Sequence, residues 1–146
     1  MIYTGIVTRE GKHWLVEFPD APGCQTFATS RTKLVAGAHE ALVGWLEAHL
    51  ETGRAPPVPK RRRRRIEVAR ALGDTIDIAV PPTVAIAIQL RWARLAKGLT
   101  QSDLAKRAHV SQQQIAKLER PGENPTVDTL AKVAAAAGMR LSIGFH

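Results

Sequence analysis

Residues 100–120 read TQSDLAKRAHVSQQQIAKLER and contain two short helical patterns with almost nothing between them. Thr100 and Asp103 have the spacing of a capping box, in which a hydroxyl and a second polar side chain together begin a helix. Ser111 and Gln114 repeat this spacing at the start of the second pattern. Two short helices joined by so tight a turn are typical of a helix-turn-helix. The stretch therefore predicts a DNA-binding motif.

Three consecutive glutamines, Gln112, Gln113 and Gln114, begin the second predicted helix. In a helix-turn-helix, the first residues of the second helix enter the major groove of DNA. A glutamine amide can accept a hydrogen bond from adenine N6 while donating one to N7. The alternative interpretation is that the glutamines are good helix formers on a solvated surface. The surrounding caps and apolar spacing favour the DNA-reading role.

The rest of this half is also predicted to be helical. A helical period runs from Thr83 to about Lys97 and ends at Gly98. Thr126 caps a fourth helix, which ends at Gly138. The final stretch MRLSIGF, residues 139–145, has an alternating pattern and is predicted to be a strand.

The first half has the patterns of a small sheet with one helix. Residues 2–8 and 12–18 predict a hairpin, and CQTFAT, residues 24–29, predicts a third strand. Apolar residues at spacings of three and four predict a helix over residues 32–52. Residues 76–82 read as a last strand before two prolines. The predicted order is therefore ββ(β)αβ, and the whole chain belongs to the α+β class.

The chain of 146 residues has a net charge of +8, which favours a polyanionic partner. The charge is −1 over residues 1–59, +4 over 60–80 and +5 over 81–146. The run KRRRRR, residues 60–65, is interpreted either as a solvated loop or as a contact with DNA phosphates, RNA or acidic parts of a partner. The single cysteine excludes a disulfide within the chain and a cysteine cluster for zinc. Neither a signal peptide nor a membrane-spanning run is visible, so a cytoplasmic protein without membrane contact is expected.

The sequence from Gly98 to Gly138, GLTQSDLAKRAHVSQQQIAKLERPGENPTVDTLAKVAAAAG, resembles the lambda-repressor-like, or Xre-type, helix-turn-helix family. The resemblance covers roughly residues 84–138 and implies that Gln112, Gln113 and Lys117 contact bases of double-stranded operator DNA. Phosphate contacts are expected at the helix starts and in the following loop, from Thr100, Gln101, Ser111, Gln114 and Asn124.

The same resemblance implies a mostly buried salt bridge between Arg94 and Glu119, with a structural role. His109 occupies the turn position where the family usually has glycine, and a positive φ strains a non-glycine residue there. Because a helix-turn-helix monomer reads only a half-site, a homodimer or higher oligomer is expected.

The stretch FPDAPGC, residues 18–24, lies between the predicted hairpin and a helix containing AHEAL, residues 38–42. This arrangement resembles the HicB family of antitoxins. The resemblance implies a partial RNase H-like domain over residues 1–80 that binds a HicA-like mRNA-cleaving toxin. It also implies a DNA-binding domain, here residues 83–146, that represses the operon encoding both proteins. By itself, PDAPG is interpreted as a loop-forming turn.

Three other functions fit the sequence less well. A stand-alone repressor whose first domain senses a ligand needs a pocket, which the sequence cannot show. A metal-dependent RNase H-like nuclease needs a carboxylate on the first strand, and residues 2–8 contain none. An RNA-binding protein needs exposed aromatic residues for stacking, whereas Trp14, Trp45 and Phe18 lie on predicted core faces.

No catalytic site, metal or cofactor is predicted. The residue types would allow a nucleophilic pair of Cys24 with His13 or His39, but no local sequence motif around these residues supports such a pair. The five histidines show no metal-ligand spacing.

Overall fold

The computed structural model of the protein describes residues 1–59 and 63–145 and confirms the α+β class. Its strands are β1 Ile2–Glu10, β2 His13–Glu17, β3 Gln25–Ala28 and β4 Thr75–Ala79. Its helices are α1 Arg31–Glu51, α2 Arg63–Ala71, α3 Pro82–Ala96, α4 Gln101–Ala108, α5 Gln112–Leu118 and α6 Val127–Ala136.

The chain forms two compact units. The first consists of Met1–His49 and Pro56–Pro82, and the second of Leu50–Ala55 together with the chain from Thr83 onwards. None of the helices in the described part of the chain is both long and apolar enough to cross a bilayer.

The first unit is built on a four-stranded antiparallel sheet in the order β3-β2-β1-β4. Val7 pairs with Val16, and Tyr3 pairs with Ile78, so that these four side chains share one face. All four are buried. The predicted hairpin and the third strand are therefore both present, and one face of the sheet forms the core of this unit.

Helix α1 covers that buried face. Leu34, Ala38, Leu42 and Leu46 recur every fourth residue along α1 and are completely buried. A Cβ placed on Gly37 would lie 3.8 Å from the side chain of Thr26 in β3, which locates the helix directly over the sheet. The predicted helix and its apolar side are thus confirmed.

Helix α2 corrects the predicted order ββ(β)αβ, which lacked it. The prediction of a loop over residues 60–65 is wrong for residues 63–65, which begin α2; residues 60–62 lie outside the described part of the chain. The helix forms because Ile66 and Ala69 give the segment a short apolar side, and Ala69 is buried. Five neighbouring arginines concealed this weak helical period.

Helix α2 contacts β1 and β4 on the second face of the sheet. Arg65 pairs with Glu17 of β2. Arg70 lies 2.8 Å from the Asp77 carboxylate and 3.1 Å from the Thr4 hydroxyl. The Thr4 hydroxyl donates to Asp77 over 2.6 Å, and this bond, with the neighbouring Arg70 guanidinium, lowers the pKa of the Asp77 carboxyl. Arg65, from the run that was expected to be solvated, and Arg70, which lies after that run, therefore anchor the helix.

The second unit has a helical core shared by α3, α4, α5 and α6. Leu90 of α3, Leu104 of α4, Ile115 of α5 and Val133 of α6 are all buried in one cluster. These residues recur with the helical periods seen in the sequence, because each short helix can bury its apolar side only against the others.

The predicted C-terminal strand is not formed in the single chain. Residues 139–145 have no regular structure, and Phe145 is 97% exposed. A strand needs a neighbouring strand to receive its backbone hydrogen bonds, and the described chain places none beside this segment. An alternating sequence indicates that a segment can form a strand, but it does not provide the second strand with which its backbone would form hydrogen bonds.

We predict that replacing Gly5 with alanine destabilises the first unit. A Cβ at Gly5 would lie 2.5 Å from Cγ2 of Val16 and 3.1 Å from Cε1 of Phe18, so the core would have to shift. Overpacking of this kind costs roughly 1–3 kcal/mol. Chemical denaturation should show this loss in the free energy of unfolding.

The matched control is Gly44→Ala in α1, where a Cβ would meet no atom within 4 Å. This change should stabilise the protein by up to about 1 kcal/mol, because alanine favours a helix interior more than glycine does. Equal stability changes for the two variants would contradict the assigned packing at Gly5.

Candidate nucleic-acid interface

His109 sets the turn between α4 and α5. It caps α4 in the left-handed conformation, with φ 55° and ψ 41°. Among the described residues it is the only non-glycine residue with a positive φ. The N–H of Val110 then donates to the carbonyl of Ala105 over 3.1 Å, and the Val110 side chain packs against the helical core. The chain thus reverses within three residues and enters α5 at Ser111.

Both helices of the motif begin with side-chain caps. At α4, Asp103 N–H donates to the Thr100 hydroxyl over 3.0 Å, and Thr100 N–H donates to the Asp103 carboxylate over 2.9 Å. The second bond lowers the pKa of the Asp103 carboxyl, so a negative charge stays at the start of α4. At α5, Gln114 N–H donates to the Ser111 hydroxyl over 3.1 Å. The caps fix where α5 starts and hence which side chains project from it.

The predicted base-contacting residues Gln112, Gln113 and Lys117 all have exposed side chains on α5. Gln114 is half-buried, and its backbone N–H donates to the Ser111 hydroxyl that caps α5. The side chains of Gln112, Gln113 and Lys117 therefore form the outer surface of α5, which is exposed to a polar partner.

A polar groove brings most of the predicted site together. It is lined by the predicted residues Ser111, Gln113, Gln114, Lys117 and Asn124 and by the start of α6. The start of α6 has its own cap, since the Thr129 N–H donates to the Thr126 hydroxyl over 3.2 Å. Two capped helix starts and Lys117 border the groove and favour an anion such as a phosphate, whereas the carboxylate of Glu123, which also lines the groove, opposes one.

Three predicted residues, Thr100, Gln101 and Gln112, do not line this groove. Gln101 links α4 to α5 instead, because its side-chain carbonyl accepts a hydrogen bond from the Gln112 amide over 2.9 Å. Its own amide donates to the Glu119 carboxylate over 3.1 Å. Gln101 therefore orients the Gln112 amide, which the sequence alone did not indicate.

Glu119 is completely buried and holds the motif to α3. The Arg94 guanidinium donates to its two carboxylate oxygens over 2.5 Å and 2.9 Å. Arg94 also donates to the Leu99 carbonyl over 2.7 Å, just before the cap of α4. The structure thus contains the pair assigned a structural role, and the pair fixes both ends of the segment that carries α4 and α5.

Arg91 is a second buried arginine at Glu119, and the sequence analysis did not identify it. Its guanidinium donates to the carboxylate of Glu119 over 3.3 Å and to the Glu119 backbone carbonyl over 2.8 Å. It also donates to the carbonyls of Leu50 and Arg54, over 3.2 Å and 2.9 Å. Burial lowers the pKa of Arg91, and Glu119 opposes this change. The available signal was an arginine one helical turn before Arg94 in an otherwise apolar helix.

The structure gives the surroundings of Cys24 and His13, two of the residues considered for a nucleophilic pair. Cys24 is buried, and burial raises the pKa of its thiol to about 11, so the thiol is protonated at neutral pH. His13 instead stacks edge-on against Phe27, with ring centroids 6.1 Å apart. Within residues 1–59 and 63–145, no three His, Cys, Asp or Glu residues are grouped to hold a metal ion.

Two protein-family models match consecutive parts of the chain. Residues 3–89 match the family described as HicB_like antitoxin of bacterial toxin-antitoxin system. Residues 90–143 match a helix-turn-helix family.

Individual proteins match as well. Antitoxin HicB 1 of Photorhabdus laumondii is 29% identical over 133 residues, which are 91% of this chain and 79% of that protein. An HTH-type transcriptional regulator of Sinorhizobium fredii, y4dJ, is 48% identical over 46 residues, which are 32% of this chain and 60% of that protein. A chain of a solved HicA3 and HicB3 toxin-antitoxin complex is 24% identical, with a TM-score of 0.45, and covers 56% of this chain and 100% of its own length.

We predict that His109→Gly stabilises the protein by about 1 kcal/mol, because the left-handed conformation costs an L-residue roughly that much and costs glycine almost nothing. His109→Val should destabilise it, since a β-branched side chain tolerates a positive φ least. Chemical denaturation of both variants tests this. Stabilisation by valine, or a loss with glycine, would contradict the assigned backbone conformation.

We predict that Glu119→Gln lowers the free energy of unfolding by roughly 3–5 kcal/mol, because two buried arginines lose the counter-charge that they share. The control is Glu123→Gln, an exposed residue of the loop before α6, which should change stability by less than about 0.5 kcal/mol. Thermal unfolding followed by circular dichroism measures both. A small effect at Glu119 would show that the buried pair does not hold the motif together.

Proposed function

The chain belongs to the HicB-like antitoxins of bacterial toxin-antitoxin systems, and on that premise we propose that it neutralises a small HicA-like, mRNA-cleaving toxin and represses its own operon. The first unit binds the toxin, and the helix-turn-helix of the second binds operator DNA. The observation that carries the proposal is the fusion, in one chain, of an antitoxin-family domain with a helix-turn-helix whose second helix presents exposed glutamines.

The DNA-binding half of the proposal rests on the exposed surface of α5. Gln113 and Lys117 project from it into the polar groove, and Gln112 is held in place by Gln101. In the proposed complex these three side chains contact base edges, and the capped starts of α4 and α5 approach phosphates. Glu119 is buried and paired, so it does not set a free negative charge near the DNA.

The proposed repressor acts as a dimer in the cytoplasm. One helix-turn-helix reads a half-site, and two copies place their recognition helices roughly 34 Å apart, one turn of DNA. We also propose that the chain has no catalytic activity and requires no metal or cofactor. The raised pKa of the Cys24 thiol supports this for the nucleophile that the sequence offered.

Co-expression tests the antitoxin role. The tagged chain is produced together with the small reading frame next to its gene, purified by the tag and sized. A stable complex, together with growth arrest when the small protein is made alone, is the expected result. If nothing co-purifies and the small protein is harmless, the proposed antitoxin role is contradicted. The chain is then better described as a repressor whose first unit senses a ligand.

We predict that Gln113→Ala weakens binding to the operator by roughly 1–3 kcal/mol and barely changes binding to random DNA. The reason is that Gln113 is exposed in the polar groove, where loss of its amide removes a base contact and no charge. Fluorescence anisotropy with a promoter fragment and a scrambled fragment measures both affinities.

Gln25→Ala is the matched control, because Gln25 is an exposed glutamine in β3 of the first unit. It should leave both affinities unchanged. If Gln113→Ala weakens binding to the two fragments equally, Gln113 does not read bases.

A further inference from the structure

The second face of the sheet in the first unit carries a shallow aromatic hollow. Helix α2 packs on β1 and β4 of this face, and the hollow lies at the end where β1 turns into β2. Its volume is about 250 Å³, and the residues that line it are Glu10, His13, Leu15 and Phe27. Phe27 is 72% exposed, and its ring lies edge-on to the ring of His13, which is also exposed. Two aromatic rings therefore face the solvent on the surface of a sheet.

Phe27 meets the requirement for an exposed aromatic residue that an RNA-binding protein has. Phe18 is buried, and Trp14 and Trp45 are half-buried, but Phe27 is none of these core-facing residues. An exposed ring offers a flat surface on which a nucleic-acid base can stack. Bases within a duplex are already stacked on one another, so such a ring suits a single strand.

Two arginines lie beside the aromatic hollow, on the other face of the sheet. The Arg9 and Arg31 guanidinium carbons lie 5.2 Å and 5.9 Å from the centre of the Trp14 ring. Arg31 also donates to the carbonyl of Thr75 over 3.4 Å. Within residues 1–59 and 63–145, neither arginine forms an ion pair with a carboxylate. A guanidinium that lies over a ring keeps N–H groups at its edge, where they can donate to a phosphate.

The charges around the aromatic hollow favour an anionic ligand. Lys12, in the turn between β1 and β2, is exposed and adds a third cation to the two arginines. The carboxylate of Glu10 lines the hollow and opposes an anion. Glu17, the next residue of β2 on the same face as Leu15, is paired with Arg65, so its charge is compensated. The positive charges at this end of the sheet therefore exceed the negative ones.

We infer that the aromatic hollow and the neighbouring cations bind a single-stranded nucleic acid. One base stacks on Phe27, and the phosphates of the adjoining nucleotides reach Lys12 and, round the end of the sheet, Arg9 and Arg31. Stacking on a ring accepts every base, so the site binds many sequences. The positive surroundings favour this polyanion over an apolar segment of a protein partner.

This binding site goes beyond the proposed function, since neither toxin capture nor operator binding involves it. Single strands of RNA and DNA offer the same stacking and the same phosphates, and they differ in the 2′-hydroxyl group. The experiments therefore use a short oligouridine and the corresponding oligothymidine in parallel. An excess of unlabelled duplex DNA of random sequence occupies the helix-turn-helix during each measurement.

The stacking contact is tested with Phe27→Ala in the full chain. Fluorescence anisotropy of the labelled single strands should show binding by the unchanged protein that is about tenfold weaker in this variant. Phe145→Ala is the matched control, because Phe145 is an exposed phenylalanine of the second unit. The control should bind like the unchanged protein, and the melting temperatures of both variants should be unchanged.

The phosphate contacts are tested with R9Q/R31Q. Each phosphate neutralised on a single strand contributes about 0.7 to the slope of log affinity against log salt concentration, so the slope should fall by about 1.4. R120Q/R140Q removes two exposed arginines of the second unit and is the control with the same change in charge. It should leave the slope unchanged.

Photo-crosslinking locates the bound strand without any substitution in the protein. Trypsin cleaves after Lys12 and after Arg31, so residues 13–31 form one peptide that contains His13, Trp14 and Phe27. Oligouridine that carries 5-iodouridine should crosslink to this peptide, and mass spectrometry identifies it.

The inference is overturned if neither single strand binds in the presence of duplex DNA, or if no crosslink falls within residues 13–31. It is also overturned if Phe27→Ala binds both strands as tightly as Phe145→Ala. If Phe27→Ala abolishes toxin capture and leaves binding of the single strands unchanged, the aromatic hollow is a protein interface instead. Binding of a single strand that depends on Phe27, in a chain that captures no toxin, would support this site and contradict the proposed antitoxin role.

Discussion

One buried carboxylate organises the helix-turn-helix. Glu119, at the end of α5, is fully buried, and a buried charge is tolerated only when charged and polar partners surround it. Arg91 and Arg94 of α3 supply the charge, and Gln101 of α4 supplies a further hydrogen bond. Because these bonds require specific directions, they fix the relative positions of three helices more narrowly than apolar contacts would.

The orientation of the surface that we propose to face DNA follows from that constraint. With its last turn held at Glu119 and its first turn capped by Ser111, α5 has little freedom to rotate. Its exposed amides therefore project in defined directions, and Gln101 further restrains Gln112. A base-reading site benefits from this rigidity, because hydrogen bonds to a base edge lose strength quickly with misalignment. The local strain at His109 is the conformational cost of the short turn that makes this arrangement possible.

In the first unit, by contrast, ion pairs act on the outside of an apolar structure. The buried face of the sheet and α1 form the core, while Arg65 and Arg70 tie α2 to the opposite face. These pairs are half-exposed and individually weak. They nevertheless show why a basic run is not evidence of a free, phosphate-binding loop: part of it is already used within the fold. Within the phosphate contact suggested for residues 60–65, Arg65 is therefore already paired with Glu17.

Local signals in the sequence determined much of this protein. Capping residues such as Thr100 and Ser111, and the spacing of apolar residues in α1 and α3–α6, act over one or two helical turns, so they can be read without knowing the fold. Tertiary structure alone decided the rest. The partner of Arg91, the link from Gln101 to Gln112, and the helix hidden in the arginine run all depend on residues far away in the sequence. The same holds for residues 139–145. Their alternating pattern indicates a strand, but a strand, unlike a helix, cannot form its backbone hydrogen bonds within itself and needs a neighbouring strand.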